Sequence, residues 1–343
     1  MQIPPLDDRA RDEALRQLDG LVKPVGALGR LEQLAAWLCA AHGEVPPRPL
    51  DDVRVVVFAG DHGVSASGTV SAYPRHLTAA MVRVFLAGES GVNVLAREVG
   101  ARVRVLDLAV DDPLDDVPDE VRRHKVRRGS GSIDVADALE PGQARRAFDA
   151  GAAAADADID GGADLLIPGD MGIGNTTIAS ALVAAVLGLP AEDVVGTGTG
   201  VDDDGRARKV AVLERALART VERGATDDPF AVLTSLGSAC AAATAGFLVR
   251  AAERTVPVVL DGVFPCAAAV VAREIAPGAE QWWVAGHRST EPAQAFALKA
   301  LGLEPILDLG LRLGEGSGAV QAVPVLRNAR AVLAGMGRLA DLG

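Results

Sequence analysis

One acidic residue, Glu315, stands between two glycines in the stretch LRLGEGSGAVQAVP, which begins at Leu311. Glycines on both sides let the backbone approach a bound molecule closely, so this carboxylate can be presented to a ligand. Ser317 is placed to cap the helical pattern that follows. A helix N-terminus lowers the pKa of a carboxylate and apolar burial raises it. Glu315 is therefore a candidate general base, and an acid in a surface loop is the simpler alternative.

A glycine-rich turn in GDMGIGNTTIASAL (169–182) is the second candidate. An apolar run leads into three glycines, then into Asn175, Thr176 and Thr177, and then into a helical pattern. Unpaired N–H groups at a helix N-terminus, with hydroxyl donors beside them, suit a phosphate. Neither the Walker pattern nor the G-x-G-x-x-G pattern is present. A strand-to-helix turn that binds nothing remains the alternative.

Two further stretches have residues that suit a ligand. In VVGTGTGVDDDGRARKVAVLERAL (194–217) we expect Lys209 in the first turn of a helix, where its charge opposes the helix dipole unless it reaches an anion. A solvated basic face explains the same spacing. The long loop GDHGVSASGTVSAYP (60–74) ends in Ser71 and Tyr73, and Met81 follows on a predicted helix. These side chains can line a pocket for a planar ligand, although core packing explains Met81 equally well.

Short apolar runs alternate with alanine-rich helical patterns along the chain. The runs are apolar on both faces, as buried parallel strands are, and cover 53–60, 102–110, 163–169, 256–263 and 281–287. This alternation predicts a three-layer α/β fold, with a Rossmann-like parallel sheet flanked by helices. Asp170, Asp261 and Ser289 follow predicted strands, and ligands of such sheets bind beyond the carboxyl ends of the strands.

Helical patterns at both chain ends predict a second, smaller unit. Residues 1–45 and 311–343 would form a small helical domain, and residues 46–310 an α/β core that binds a nucleotide. The proline-rich stretch EVPPRPLDD marks the first boundary.

The composition excludes some classes of partner. Of 343 residues 49% are hydrophobic, and the net charge of −12 argues against nucleic acid, whose phosphates need a basic surface. Cys39, Cys240 and Cys266 lie far apart in apolar contexts, which predicts buried free thiols in a reducing compartment and no metal site. The N-terminus is polar, unlike a signal peptide, and no apolar run reaches membrane-spanning length. We therefore expect a cytoplasmic protein without a membrane partner.

Five motifs occur in the order found in nicotinate-nucleotide–dimethylbenzimidazole phosphoribosyltransferases: KPVGALGRLE, GDHGVSASGTVSAYP, GDMGIGNTTIA, VPVVLDGV and RLGEGSGA. The chain resembles this family from about Leu18 to Met336. The resemblance implies an enzyme that transfers phosphoribose from nicotinate mononucleotide to a benzimidazole. Its products would be α-ribazole 5′-phosphate and nicotinate, in the pathway that builds the lower ligand of cobalamin. The resemblance also implies a homodimer and no cofactor or metal.

The same resemblance implies roles for individual residues. Glu315 matches the family's general base, which takes the N–H proton of the incoming base as that base attacks C1′ of the ribose with inversion. The predicted nucleotide and phosphate site consists of Asp170, Gly172, Gly174, Asn175, Thr176, Thr177, Lys209, Asp261, Ser289 and Gly314. The predicted base pocket consists of Ser71, Tyr73, Met81, Met171 and Leu313. Ala80 stands where many relatives have Gln, which leaves the preferred base open.

Two other classes of function compete with this interpretation. An NAD-dependent oxidoreductase needs G-x-G-x-x-G after an early strand, and AGDHGVSASG does not fit that pattern. A non-catalytic nucleotide-binding paralogue would keep the phosphate loop but would have no need of Glu315.

Overall fold

Six parallel strands form one sheet in the computed structural model, which describes residues 2–66, 70–198 and 200–342. The strands are β1 (Val53–Gly60), β2 (Arg102–Ala109), β3 (Leu165–Met171), β4 (Val258–Leu260), β5 (Trp283–His287) and β6 (Pro305–Leu307). Their order across the sheet is β2-β1-β3-β4-β5-β6. This arrangement confirms the predicted α/β fold. Strand β6 was not predicted, because it has only three residues and begins with a proline.

Fourteen α-helices surround the sheet within the described residues. They are α1 (Asp8–Asp19), α2 (Arg30–His42), α3 (Leu77–Ala87), α4 (Gly91–Glu98), α5 (Asp119–Arg122), α6 (Gln143–Asp160), α7 (Asn175–Leu187), α8 (Ala191–Val194), α9 (Asp203–Glu222), α10 (Pro229–Leu236), α11 (Ala239–Glu253), α12 (Val263–Ile275), α13 (Pro292–Leu301) and α14 (Ser317–Gly335). Helix α12 was not predicted, because its residues are almost all apolar and include Pro265.

Both faces of the sheet are covered, which explains why the strands are apolar throughout. Val56 and Phe58 of β1 point into a core shared with α6, α7, α11 and α12. Val55 and Val57 point to the opposite face, into a core shared with α2, α4 and α14. Successive side chains of a strand alternate between faces, so the valines of β1 contribute to both cores.

The helices from the two chain ends lie together on one face of the sheet. Leu34 and Leu38 of α2 share a buried core with Leu326 of α14 and with Val55 of β1. Leu21 also pairs with Arg338 in an isolated antiparallel bridge. The division of the chain into a small helical domain and a nucleotide-binding core stays a prediction.

Two expectations about the rest of the chain have outcomes in the structure. All three cysteines are free and buried, as predicted. The segment Leu77–Glu98 resembles a membrane span by length and composition alone, although its charged residues leave no uninterrupted apolar run of that length. It consists of two helices, because α3 ends at Gly88 in a left-handed conformation and Ser90 caps the start of α4. Neither helix alone has the roughly 20 residues that a crossing needs.

Candidate active site

Two adjoining cavities lie beyond the carboxyl ends of the strands. The larger has a volume of about 430 Å³ and is lined by Val70, Ser71, Tyr73, Leu77, Ala80, Met81, Val84, Asp170, Met171, Gly172, Ile173, Gly174, Asn175, Thr176, Leu313 and Glu315. The smaller has a volume of about 50 Å³ and is lined by Asp170, Asn175, Thr176, Gly198, Gly262, Val263, Phe264, His287, Ser289, Glu291, Arg312, Leu313 and Gly314. We call them the large and the small cavity. This is the edge of an open parallel sheet at which ligands bind.

Glu315 faces the large cavity and is only 5% exposed. Its Oε2 accepts a hydrogen bond of 3.1 Å from the backbone N–H of Val92, in the first turn of α4. Burial raises the pKa of Glu315 above the ordinary 4.5, the hydrogen bond from Val92 opposes this, and the nearby charge of Asp261 adds to the rise. The result is a fixed carboxylate that is more basic than an exposed glutamate.

The backbone at Glu315 has an unusual conformation and is closely packed against β3. Glu315 has φ of +67°, in the left-handed region that residues other than glycine rarely adopt. A Cβ at Gly169 of β3 would lie 2.2 Å from the carbonyl oxygen of Glu315. The end of β3 and the Glu315 turn are therefore packed backbone against backbone, and a side chain at Gly169 would push the catalytic candidate away.

Asp261 holds the start of α14, directly after Glu315. Its Oδ2 accepts a hydrogen bond from Gly316 N at 3.1 Å, and its Oδ1 accepts one from Ala319 N at 2.9 Å. The prediction that Ser317 caps this helix is wrong. Gly316 occupies the cap position, and the Ser317 hydroxyl donates to the carbonyl of Gly314 at 2.7 Å. Asp261 is fully buried and lines neither cavity, so it acts on the site by fixing the start of α14 and through its negative charge near Glu315 and Asp170.

Asp170 lies at the end of β3 and lines both cavities. Burial raises its pKa to about 7, and the negative charges of Asp261 and Glu315 add to the rise. Asn175 Nδ2 donates a hydrogen bond of 2.5 Å to Asp170 Oδ2, which partly offsets the effect of burial. This carboxyl group therefore changes its charge near neutral pH, inside the site.

The glycine-rich turn brings the N-terminus of α7 to both cavities. Gly174, with φ of +94°, is the residue before the helix, and Asn175 and Thr176 line both cavities. The positive end of the helix dipole thus faces the site, although the N–H groups of Asn175, Thr176 and Thr177 are hydrogen-bonded within the turn itself. Gly172 and Gly174 line the large cavity. Thr177 is fully buried and lines neither cavity.

Lys209 is placed differently from the prediction. The helix begins at Asp203, so Lys209 lies in its second turn rather than its first. The side chain is fully buried, and its Nζ donates to Thr176 Oγ1 at 3.0 Å and to the carbonyl of Gly196 at 3.2 Å. Burial lowers the pKa of Lys209, and the charge of Glu291 opposes this. Its ammonium group therefore acts on the cavities from behind Thr176.

The predicted base pocket and the rest of the predicted nucleotide site lie along these cavities. All five residues of the predicted base pocket line the large cavity together with Glu315, namely Ser71, Tyr73, Met81, Met171 and Leu313. Ser289 and Gly314 line the small cavity. A large cavity with apolar walls and one buried acid suits a planar heterocycle that has an N–H group to give up. The part of the polar loop at 67–69 lies outside the described residues.

Several residues of the small cavity were not predicted from sequence. Arg312 is the most informative, and its position three residues before Glu315 was the available signal. Glu291 is buried, and its Oε1 accepts a hydrogen bond of 2.7 Å from Gly198 N. His287 Nε2 lies 3.4 Å from Asp261 Oδ1, close enough for an ion pair but without the alignment of a hydrogen bond. Within the described ranges, no group of three or more His, Cys, Asp or Glu side chains is arranged to hold a metal ion.

Comparison with known proteins assigns the chain to a family of phosphoribosyltransferases. The DBI_PRT model, described as a phosphoribosyltransferase, matches residues 3–343. The chain belongs to this family of phosphoribosyltransferases, as the resemblance implied.

Individual relatives are similar over nearly their whole length. The nicotinate-nucleotide–dimethylbenzimidazole phosphoribosyltransferase of Mycolicibacterium paratuberculosis is 54% identical, over 99% of this chain and 96% of the relative. The protein of the same name from Mycobacterium marinum is 52% identical, over 98% of this chain and 93% of the relative. The crystal structure of CobT from Thermus thermophilus has 45% identity and a TM-score of 0.92, with coverage of 97% of this chain and 98% of that one.

Proposed function

We propose that this protein transfers phosphoribose from nicotinate mononucleotide to 5,6-dimethylbenzimidazole or a related base. The products are α-ribazole 5′-phosphate and nicotinate, and the reaction supplies the lower ligand of cobalamin. One observation supports this most strongly: Glu315 is a buried carboxylate with a raised pKa that faces a largely apolar cavity of about 430 Å³. The family and the names of its relatives support the same reaction.

The reaction needs one base and accurate positioning. The benzimidazole lies in the large cavity, where its N–H proton passes to Glu315 while its other ring nitrogen forms a bond to C1′. The bond from C1′ to the pyridinium nitrogen breaks, and its electron pair returns to the ring to give nicotinate. The pyridinium already carries a positive charge, so it leaves without a general acid. Holding the two rings on opposite sides of C1′ supplies much of the remaining acceleration.

The phosphate of the donor lies at the N-terminus of α7. Backbone N–H groups of the turn and the hydroxyl of Thr176 bind it, and Lys209 supports Thr176 from behind at 3.0 Å. Ser289 and Gly314 complete the nucleotide site in the small cavity. Asp261 contributes by fixing the start of α14, and so the position of Glu315.

The protein acts as a homodimer in the cytoplasm. Tyr73 and Leu313 line the large cavity but are 52% and 57% exposed, as expected for a site rim that a second copy covers. Light scattering coupled to size-exclusion chromatography tests this, with an expected mass of twice the 35.2 kDa of one chain. A mass of one chain at micromolar concentration would contradict the homodimer.

The reaction is tested by incubating the purified protein with nicotinate mononucleotide and 5,6-dimethylbenzimidazole. Chromatography with mass detection should show α-ribazole 5′-phosphate and nicotinate in equal amounts. Because Ala80 lines the large cavity, other benzimidazoles, purines and phenols are assayed beside it. Binding of nicotinate mononucleotide without product from any acceptor would favour the non-catalytic alternative.

A further inference from the structure

An arginine side chain, Arg312, lies on the rim of the small cavity. Among the described residues that line either cavity, Arg312 is the only arginine or lysine. Its side chain is exposed and makes no hydrogen bond or ion pair with the part of the chain that the structure describes. A Cβ at Gly200 would lie 3.5 Å from its Nη1, so the guanidinium lies against the loop that carries Gly198. It is thus available to an anion at the cavity.

Apart from His287, the described ionisable side chains that line the small cavity with Arg312 are acidic. Asp170 and Glu291 line the same small cavity, and Glu315 faces the large one. The proposed donor carries two anionic groups, a phosphate on the ribose and a carboxylate on the pyridine ring. The N-terminus of α7, with Lys209 behind Thr176, serves one anion. A second anion in so acidic a site requires a second cation.

The stereochemistry of the transfer places the pyridine ring on the side of Arg312. Inversion at C1′ requires the entering base and the leaving ring to lie on opposite sides of that carbon. The base cavity contains Glu315, so the leaving ring lies toward the small cavity, whose apolar wall is formed by Val263 and Phe264. Leu313 lines both cavities, whereas its neighbour Arg312 lines only the small one.

We infer that Arg312 binds the carboxylate of the nicotinate ring and thereby selects nicotinate mononucleotide over nicotinamide mononucleotide. This rests on the proposed function. A guanidinium offers two parallel N–H donors, which match the two oxygens of a carboxylate. A carboxamide is neutral and has only one acceptor oxygen, so it cannot accept both hydrogen bonds. The residue is a specificity determinant on the donor side and takes no proton in the reaction.

The test compares kcat/KM for the two mononucleotides in the wild type and in Arg312→Gln. Loss of a charge-assisted bidentate contact should lower kcat/KM for nicotinate mononucleotide roughly 10- to 100-fold. The value for nicotinamide mononucleotide should stay within about twofold, so the preference itself collapses. Arg312→Lys keeps the charge without the planar fork and should keep part of the preference. Arg288→Gln is the matched control, because Arg288 is exposed near the same sheet edge but lines neither cavity.

Four outcomes would overturn the inference. Equal loss on both mononucleotides in Arg312→Gln would show that the residue does not read the ring carboxylate. The wild type and the variant are also compared on nicotinate mononucleotide and the phosphate-free nicotinate riboside. If the preference for the mononucleotide over the riboside disappears in Arg312→Gln, Arg312 binds the phosphate instead. A wild type that turns over no mononucleotide with any acceptor would contradict the proposed function, whereas normal turnover with an unchanged preference in the variant would contradict only the role of Arg312.

Discussion

At the residue scale, the chemistry depends on how Glu315 is kept basic. Burial raises its pKa, and the N–H of Val92 holds the carboxylate in place at 3.1 Å. Neither effect is visible in the sequence around Glu315, because Val92 lies 223 residues away along the chain. The glycines beside Glu315 identified it as a candidate, and only the fold shows which groups change its pKa.

The pH dependence of turnover should reflect this raised pKa. A general base works only when ionised, so kcat/KM should fall as the pH is lowered through a value above the ordinary 4.5 of a glutamate. A pH profile with dimethylbenzimidazole as acceptor measures it. The same acid limb should persist in Asp170→Asn, which removes the other cavity-lining carboxyl group with a raised pKa. A profile that stays flat down to about pH 4.5 would contradict the role of burial at Glu315.

Asp170 should make the folded protein less stable as the pH rises. Its pKa is about 7 in the folded state and about 3.8 in the unfolded chain, so between these values the folded state holds an extra proton. Stability from this group is therefore present below that window and lost as the pH rises through about 7. Asp170→Asn should raise the melting temperature by a few degrees at pH 8 and have little effect near pH 4.

Thermal unfolding of both proteins across this pH range measures the difference. Asp12→Asn, on the exposed side of α1, is the control and should change the melting temperature little at either pH. A melting difference between Asp170→Asn and the wild type that is the same at both ends of the range would contradict a buried titrating carboxyl group.

At the element scale, segments with a strong apolar pattern were predicted correctly. Features that depend on contacts between distant residues, such as helix caps, were not. The limits of β1, Val53–Gly60, match the predicted run. The run could be read from the sequence because nearly all of its residues are apolar. The predicted cap at Ser317 failed because Asp261, from the end of β4, supplies that cap across the sheet edge. Lys209 was placed a turn too early because the acids before it belong to the helix, with Asp202 as its cap.

The contact between β3 and the Glu315 turn should tolerate no side chain. Gly169→Ala would place a Cβ 2.2 Å from the carbonyl oxygen of Glu315, and the atoms on both sides are backbone. We expect a loss of stability of about 1–3 kcal/mol, as in overpacked cores, together with a large loss of turnover. Chemical denaturation and the product assay measure the two effects.

Gly335→Ala is the matched control for this substitution. Gly335 is the last residue of α14, and a Cβ there has no neighbour within 4 Å. Helix propensity favours alanine, so the control should be neutral or more stable by up to about 1 kcal/mol. Equal effects of the two substitutions would contradict the close backbone contact.

At the scale of the whole molecule, the parallel sheet brings together residues that are far apart in sequence. Asp170 lies at the end of β3, and Asp261 and Ser289 follow β4 and β5. These three strands are adjacent in the sheet, so the grouping of the residues at one edge was predictable. The division of the site into two cavities was not. It depends on the path of the loop from β6, a strand that the sequence analysis missed, to α14. Arg312 lies on that loop, beside the predicted residues Leu313, Gly314 and Glu315, and only the fold shows that its side chain lines the small cavity.

The most direct test of the central claim is turnover by Glu315→Gln, with donor binding measured on the same preparation. Glutamine keeps the size of the side chain and its acceptor oxygen for Val92 N–H, but it cannot take a proton. We predict that nicotinate mononucleotide binds with an affinity within a few-fold of the wild type, while kcat falls about 10²- to 10⁴-fold. Wild-type turnover in this variant would contradict the assignment of Glu315 as the general base.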